Sequence, residues 1–135
     1  MPMLFAYDAQ AHDTPAPFLP IQISHPSQPE HTLEVIAKID TGADISAIPR
    51  HIATALALEE TGELKVAGFD GPPSSYTICA VRIALPSGQR ARLNALVVPS
   101  DDVILGRDVL NHLRLLLDGP ALTSEILPPA EGQVP

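Results

Sequence analysis

The 135-residue sequence has no tryptophan, a single cysteine and few basic residues. With Cys79 as its only cysteine, one chain cannot form an internal disulfide, so the fold must depend on packing, alone or with a partner subunit. A lone cysteine in an apolar strand is most often a small buried hydrophobe and not a reactive thiol. The eight Lys and Arg are scattered and leave a formal net charge of -8. We therefore expect no nucleic acid partner.

Long apolar runs are also missing. No segment approaches the roughly 20 apolar residues that cross a bilayer, and the N-terminus lacks the basic and apolar regions of a signal peptide. We expect a soluble, cytoplasmic protein with no membrane partner. The five histidines show no metal-ligand spacing, and the DTGAD segment at residues 40–44 differs from a calcium loop. Neither a metal nor a cofactor is expected.

The chain has 15 prolines and 8 glycines, while aromatic residues make up only 4% of it. This composition indicates many turns and short elements, which favours β structure. The length suits one domain, which we place at residues 17–120. The Pro-, Ala- and polar-rich segments on either side predict a flexible N-terminal extension at 1–16 and a flexible C-terminal tail at 121–135.

Short alternating segments separated by turn residues fill the predicted domain. In the segment 32–40, Leu33, Val35, Ala37 and Ile39 fall on one face, as a half-buried strand requires. Helical patterns are short, and the connections are of hairpin length. The chain predicts an all-β fold, a closed or partly open barrel of short antiparallel strands with one or two short helices. The strands are predicted at 18–24, 32–40, 63–68, 76–86, 90–99, 103–105 and 113–117, and the helices at 50–60 and from 107.

Asp40 stands at the end of an apolar strand, directly before Thr41 and Gly42. A carboxylate at the edge of a core is costly unless it is hydrogen-bonded, paired or neutral, so the position is either structural or kept for chemistry. Taken alone, Asp40 is most simply an aspartate that caps a turn. Its role therefore depends on the rest of the chain.

Two motifs together resemble those of the retroviral-type aspartic proteases, the retropepsins. DTGAD at residues 40–44 is similar to their active-site motif, and VILGRD at residues 103–108 is similar to their second signature. The resemblance extends over about residues 18–118 and implies an acid-protease barrel with a flap hairpin.

The resemblance implies an aspartic endopeptidase that cuts extended polypeptides without a cofactor. In that family two aspartates share one proton and activate a water molecule that attacks the peptide carbonyl. This chain carries DTG once, so it supplies half of such a site. The resemblance thus implies a two-fold homodimer in which two copies of Asp40 meet on the axis.

The family also implies a role for each residue of the first motif. Asp40 would be the shared acid and base, and Thr41 would form hydrogen bonds across the subunit interface. Gly42 would offer its carbonyl to the substrate backbone, and Asp44 would contact the substrate near the end of the cleft. Catalysis is thus expected from Asp40, Thr41 and Gly42, and substrate binding from Gly42 and Asp44.

Other residues would support or cover the site. Arg107 would pair with Asp44 and brace the turn against the terminal helix, while Ala43 and Gly106 would give structural support. A hairpin tip matches the position of the family's flap, which closes over the substrate and excludes water. Four residues of this tip are expected to bind substrate: Gly68, Phe69, Asp70 and Gly71.

Some features depart from the family. The flap tip carries two prolines, the tail is long, and no N-terminal strand is evident to join the apolar segment 113–117 at a dimer interface. An alternative function is therefore a retropepsin-like module that keeps the fold, binds peptides or forms dimers, and is weak or inactive as a catalyst.

Overall fold

A computed structural model describes residues 3–67 and 71–130. Within these residues the chain forms ten strands and two short helices. In chain order they are β1 (Met3–Ala6), β2 (Phe18–His25), β3 (Gln28–Ile39), β4 (Ala47–Pro49), α1 (Arg50–Ala55), β5 (Glu60–Val66), β6 (Ser74–Ala84), β7 (Arg90–Val98), β8 (Val103–Leu105), α2 (Arg107–Leu110), β9 (Arg114–Asp118) and β10 (Thr123–Leu127).

The larger sheet has seven strands in the order β2, β3, β8, β4, β7, β6, β5. A further pairing of β2 with β6 closes the first six strands into a ring and leaves β5 outside it. Most pairings are antiparallel, but β3 with β8 and β4 with β7 are parallel. The predicted all-β class with two short helices is confirmed. The ring is irregular because β4 and β8 contribute only three residues each.

Strands β2 and β3 form the hairpin that leads to Asp40. Leu19 pairs with Ala37, and Ile23 pairs with Leu33, so both strands direct the same alternate residues inward. Ala37 is fully buried, whereas Leu33 is half-buried near the hairpin end. The predicted inward face of β3 is thus confirmed, although the strand starts four residues earlier than expected.

The core lies inside the ring and consists mainly of aliphatic side chains from its six strands, β2, β3, β4, β6, β7 and β8. Each fully buried aliphatic side chain contributes about 1.5–3 kcal/mol relative to its exposed state. Cys79 of β6 belongs to this core at 2% exposure, and burial raises the pKa of its thiol. It therefore behaves as a small hydrophobe. The largest fully buried core side chains are Leu19, Ile23, Ile48, Val81, Ile83 and Leu105.

A second sheet joins the two ends of the chain in the order β1, β10, β9. Met3 pairs with Ile126 and Phe5 with Ser124, and both β10 residues are buried. Strands therefore occur in the segments expected to be flexible extensions. Each is only four or five residues long, so alternation within it is too brief to recognise in sequence, and burial comes from pairing across the chain. The division into domain and extensions stays a prediction.

The first helix is shorter than the sequence suggested, whereas the second, predicted as one or two turns from residue 107, has the expected length. Helix α1 ends at Ala55 instead of residue 60, because the chain turns at residues 56–57 and enters β5 at Glu60. Helix α2 is a single turn that begins immediately after Gly106. Among the described residues, no helix has the length and apolar character needed to cross a membrane.

Candidate active site

Asp40 follows β3 directly, and its backbone is held from both sides. Its N–H donates to the carbonyl of Leu105 in β8 at 3.0 Å, which extends the parallel pairing of Ile39 with Leu105 by one residue. The N–H of Ile39 donates to the carbonyl of Pro17 at 3.0 Å. The side chain of Asp40 is half-buried. The strand ends therefore fix this carboxyl group while leaving it accessible.

The residues after Asp40 form a tight turn that folds back on its carboxylate. Oδ1 of Asp40 accepts the N–H of Gly42 at 2.9 Å, and the Asp40 carbonyl accepts the N–H of Ala43 at 3.2 Å. A Cβ at Gly42 would lie 3.2 Å from the same carboxylate oxygen, closer than side chains usually approach. Glycine here thus permits close contact with the acid. Thr41 and Gly42 are exposed on the outer side of the turn.

Arg107 braces the turn from α2. Its Nη1 donates to the carbonyl of Thr41 at 2.7 Å, its backbone N–H donates to the carbonyl of Ala43 at 2.8 Å, and its Nη2 donates to Asp44 Oδ1. The structure thus contains the Arg107–Asp44 ion pair expected from the sequence. Because the Asp44 side chain is 79% exposed, water screens this ion pair, which therefore contributes little to the free energy of folding. Its main effect is to fix the position of the turn relative to α2.

Gly106 allows α2 to approach the turn this closely. A Cβ built on Gly106 would lie 2.8 Å from the carbonyl carbon of Ile45 and 2.9 Å from the carbonyl oxygen of Ala43. Side-chain carbons do not come so close to backbone atoms, so any larger residue would separate α2 from the turn. Gly106 and Ala43 are therefore in contact, and their structural roles stay predictions.

The sequence analysis missed two residues that tie the segments together, Ser46 and Asp108. The N–H of Ser46 donates to both carboxylate oxygens of Asp108, at 3.0 and 3.1 Å, and its hydroxyl donates to Oδ1 at 2.7 Å. The Ser46 hydroxyl oxygen also accepts the N–H of Gly106 at 3.0 Å. Two signals were available in the sequence: Asp108 ends the VILGRD segment, and Ser46 is a polar residue among apolar neighbours.

The arms of the expected flap are β5 and β6. They pair antiparallel from Glu60 with Cys79 to Val66 with Ser74. Of the tip residues predicted to bind substrate, Gly68, Phe69 and Asp70 lie outside the described residues. Gly71 is exposed and has a φ of +91°, which suits a glycine in a turn. The substrate contacts of the tip stay predictions.

The acid–base chemistry that Asp40 offers in one chain is that of one half-buried carboxyl group held by the turn. Such a group can accept or donate a proton, but a dyad needs a second carboxyl group, and the sequence contains DTG once. Residues 3–67 and 71–130 contain no group of three or more His, Cys, Asp and Glu side chains placed to hold a metal ion.

Residues 31–109, more than half of the chain, match the family model described as aspartyl protease. The chain belongs to the aspartyl protease family. The matched region contains both the turn at residues 40–44 and the segment at residues 103–108. The resemblance inferred from the two motifs is therefore confirmed. A comparison with curated protein sequences gives no significant match.

Two solved structures show which fold this member of the family shares. The EIAV protease in complex with the inhibitor HBY-793 is 22% identical, with a TM-score of 0.53, and the match covers 80% of this chain and 93% of that one. A retropepsin-like aspartic protease from Rickettsia conorii is 12% identical, with a TM-score of 0.63 and coverage of 93% and 90%. At these identities the likeness shows the retropepsin-like fold.

Proposed function

We propose that this aspartyl protease family member is an active aspartic endopeptidase that works as a two-fold homodimer. The observation that carries the proposal is the setting of Asp40: an accessible carboxyl group at the end of β3, fixed by the turn and by Arg107. A purely structural aspartate would need no brace of this kind from α2. Duplication of the turn by a second chain supplies the missing carboxyl group.

In the proposed mechanism the two Asp40 carboxyl groups share one proton, because two like charges so close cannot both ionise. The resulting pKa values belong to the pair. The ionised member takes a proton from a water molecule, whose oxygen attacks the carbonyl carbon of the scissile peptide bond. The protonated member donates to the carbonyl oxygen. Proton transfer to the amide nitrogen then allows the carbon–nitrogen bond to break.

Thr41 is placed to connect the two turns. The Thr41 carbonyl accepts a hydrogen bond from Arg107, whereas the Thr41 hydroxyl forms no hydrogen bond with any described residue. The hydroxyl is therefore available to a partner subunit. The substrate is an extended polypeptide that lies as an added strand between the β5–β6 hairpin and the turn. The Gly42 carbonyl and Asp44 contact its backbone from below, and the tip residues Gly68, Phe69, Asp70 and Gly71 contact it from above. No cofactor takes part, since the dyad supplies both acid and base.

Cleavage of a peptide library at mildly acidic pH tests this function. The wild-type protein should cleave and the Asp40→Asn variant should not, because the amide can neither share the proton nor accept one from water. Asp101→Asn, a change at an exposed aspartate of the β7–β8 turn, is the matched control and should retain activity. Cleavage that persists in Asp40→Asn rules out the mechanism. Peptide binding without cleavage by the wild type supports the alternative, a binding module.

A mixing experiment tests the dyad itself. When equal amounts of wild-type and Asp40→Asn chains exchange subunits, about a quarter of the dimers keep two aspartates. If both are needed, specific activity per total chain falls to about a quarter of the wild-type value. If each subunit works independently, it falls only to about half. Size-exclusion chromatography of the mixture verifies that subunits have exchanged.

A further inference from the structure

A groove lies between the turn that joins β6 to β7, the segment after α2 and the end of β10. Its volume is about 1210 Å³, which is large enough for a peptide segment of several residues. The floor is apolar: Leu85, Val109 and Ile126 are at most 8% exposed, and Leu113 is half-buried. The groove therefore offers a bound chain apolar contacts.

The charge around the groove has one sign. Arg90 lines it on the side of the β6–β7 turn, and Arg114 lines it where β9 begins. None of the described residues that line it is Asp or Glu, although the whole chain has 16 acidic residues and 8 Lys and Arg. Nη1 of Arg114 donates to the carbonyl of Pro128 at 2.7 Å, which fixes its guanidinium at the groove wall. The groove thus favours a negatively charged ligand.

Two further arginines extend this charge along the outer face of β6 and β7. Arg82 lies directly opposite Arg92, and Ala84 lies opposite Arg90. Residues two apart on a strand share a face, so the three arginines lie side by side. Like charges directly opposite each other destabilise a strand pair. Within residues 3–67 and 71–130 none of the three forms an ion pair with a carboxylate, so their charge is uncompensated within the chain.

We propose that the groove and the basic rim, defined as Arg82, Arg90 and Arg92, are a docking site for an acidic segment of another polypeptide. An extended segment directs successive side chains to opposite sides, so one with alternating acidic and apolar residues fits both features. Its apolar side chains contact the floor of the groove, and its carboxylates pair with the basic rim and with Arg114.

A nucleic acid fits this surface less well than an acidic peptide. No described residue that lines the groove is Phe, Tyr or Trp, the side chains on which bases stack. The formal net charge of -8 also opposes a long polyanion, whereas a short acidic segment meets only the local basic residues. Charge and apolar contacts together therefore favour a polypeptide.

The docking site is separate from the Asp40 turn. Arg107, at the start of α2, contacts the turn, whereas Asn111 and His112, just after the end of α2, line the groove. No residue of the turn at 40–44 lines it. The inference therefore goes beyond the proposed function and does not depend on cleavage.

Fluorescence anisotropy with a labelled peptide of alternating Glu and Leu tests the docking. The peptide should bind the wild-type protein at low salt, and added salt should weaken binding. Arg90→Glu should raise the dissociation constant by about 3- to 30-fold, because it replaces an attraction with a repulsion. Arg50→Glu, an equal change of charge at an exposed residue outside the groove, is the matched control and should leave the dissociation constant unchanged.

Two altered peptides separate the contributions of charge and apolar contact. A peptide with Gln in place of Glu and one with Ser in place of Leu should each bind about tenfold more weakly or worse. Binding of the Ser peptide as tight as that of the Leu peptide would show general charge attraction without use of the groove, which overturns the inference.

Exchange of charge separates docking from misfolding. The double variant Arg90→Glu/Arg92→Glu should lose the Glu–Leu peptide and bind a peptide of alternating Lys and Leu. Arg50→Glu/Lys65→Glu has the same net charge but leaves the basic rim intact, so it should keep the preference for the Glu–Leu peptide. A chain that failed to fold would not exchange one charge preference for the opposite one.

The remaining outcomes are equally distinct. No binding by the wild type, or an unchanged dissociation constant in Arg90→Glu, overturns the inference. Tighter binding of a thymidine oligonucleotide than of the peptide, weakened by the same variants, indicates a nucleic acid surface and also overturns it. Docking should persist in Asp40→Asn, because it does not use that carboxyl group. A protein that binds the peptide through the basic rim but cleaves nothing supports this inference and refutes the proposed function.

Discussion

The carboxylate of Asp108 accepts both the backbone N–H and the hydroxyl of Ser46, at 3.0 and 2.7 Å, across 62 residues of sequence. Ser46 is 1% exposed, so its two donors have no access to water. The same hydroxyl oxygen accepts the N–H of Gly106, where α2 begins. This link holds the segment after the Asp40 turn against the helix that braces it.

Asp108→Ala should destabilise the protein by about 2–3 kcal/mol, because it leaves two buried donors of Ser46 without an acceptor. Urea unfolding followed by circular dichroism measures the loss. Asp108→Asn keeps one carboxamide oxygen as an acceptor and should lose less stability than the alanine variant. Equal losses for the two variants would show that the acceptor of Ser46 is not the source of the effect.

Gly106→Ala should also destabilise the fold, by about 1–3 kcal/mol, because the added methyl group would overlap backbone atoms of Ile45 and Ala43. The same shift moves Arg107 away from the turn, so cleavage should fall together with stability. Gly119→Ala is the matched control, since a Cβ there would meet no atom within 4 Å. Thermal unfolding compares the two variants, and similar melting temperatures would contradict the close packing of Gly106.

Much of the ring could be predicted because its signals are local. The alternation in β2 and β3, with turn residues between them, indicates a hairpin that ends at Asp40. The motifs at residues 40–44 and 103–108 then predict where the active-site turn lies and which segment leads into α2. The Arg107–Asp44 contact followed from the same resemblance, since neither residue reveals its partner through spacing alone.

The missed features depend on contacts between distant segments. Strands β1 and β10 are short, and their pairing joins the two ends of the chain. The parallel pairing of β4 with β7 arises from ring closure and leaves no periodic pattern in a three-residue strand. Ser46 and Asp108 likewise become partners only when β8 and α2 pack against the turn. Local propensity carries no information about such pairings.

Arg107 should matter more to catalysis than to stability. Its guanidinium bridges the Thr41 carbonyl and Asp44, and Arg107→Lys keeps the charge but cannot span both acceptors. Because the pair is largely solvated, we expect a loss of only about 1 kcal/mol in unfolding free energy. We expect kcat/KM for a cleaved peptide to fall about tenfold, since the Asp40 turn loses its brace.

The control for Arg107→Lys is Arg50→Lys, at an exposed residue that begins α1. This variant should match the wild type in both unfolding and cleavage. If Arg107→Lys retained full kcat/KM, the proposed bracing role would be wrong even though the contacts exist.

The N-terminal segment should make stability depend on pH through Asp8. Hydrogen bonds from the N–H groups of Ala11 and Gln10, at 3.0 and 2.9 Å, hold the pKa of the Asp8 carboxyl below its ordinary value of 3.8, and His12 lowers that pKa further. A carboxyl group with a lowered folded-state pKa stabilises the fold above its unfolded pKa. That contribution disappears as the pH falls through the lowered value.

Asp8→Asn removes the charge and keeps an oxygen acceptor. It should therefore be less stable than the wild type near neutral pH, and the difference should shrink as the pH falls below 3.8 and then through the lowered pKa of Asp8. Urea unfolding at a series of pH values measures the gap. Asp101→Asn, at an exposed aspartate for which no hydrogen bond is found in residues 3–67 and 71–130, should show no such gap. A gap for Asp8→Asn that stayed constant with pH would mean that the charge of Asp8 is not what its neighbours stabilise.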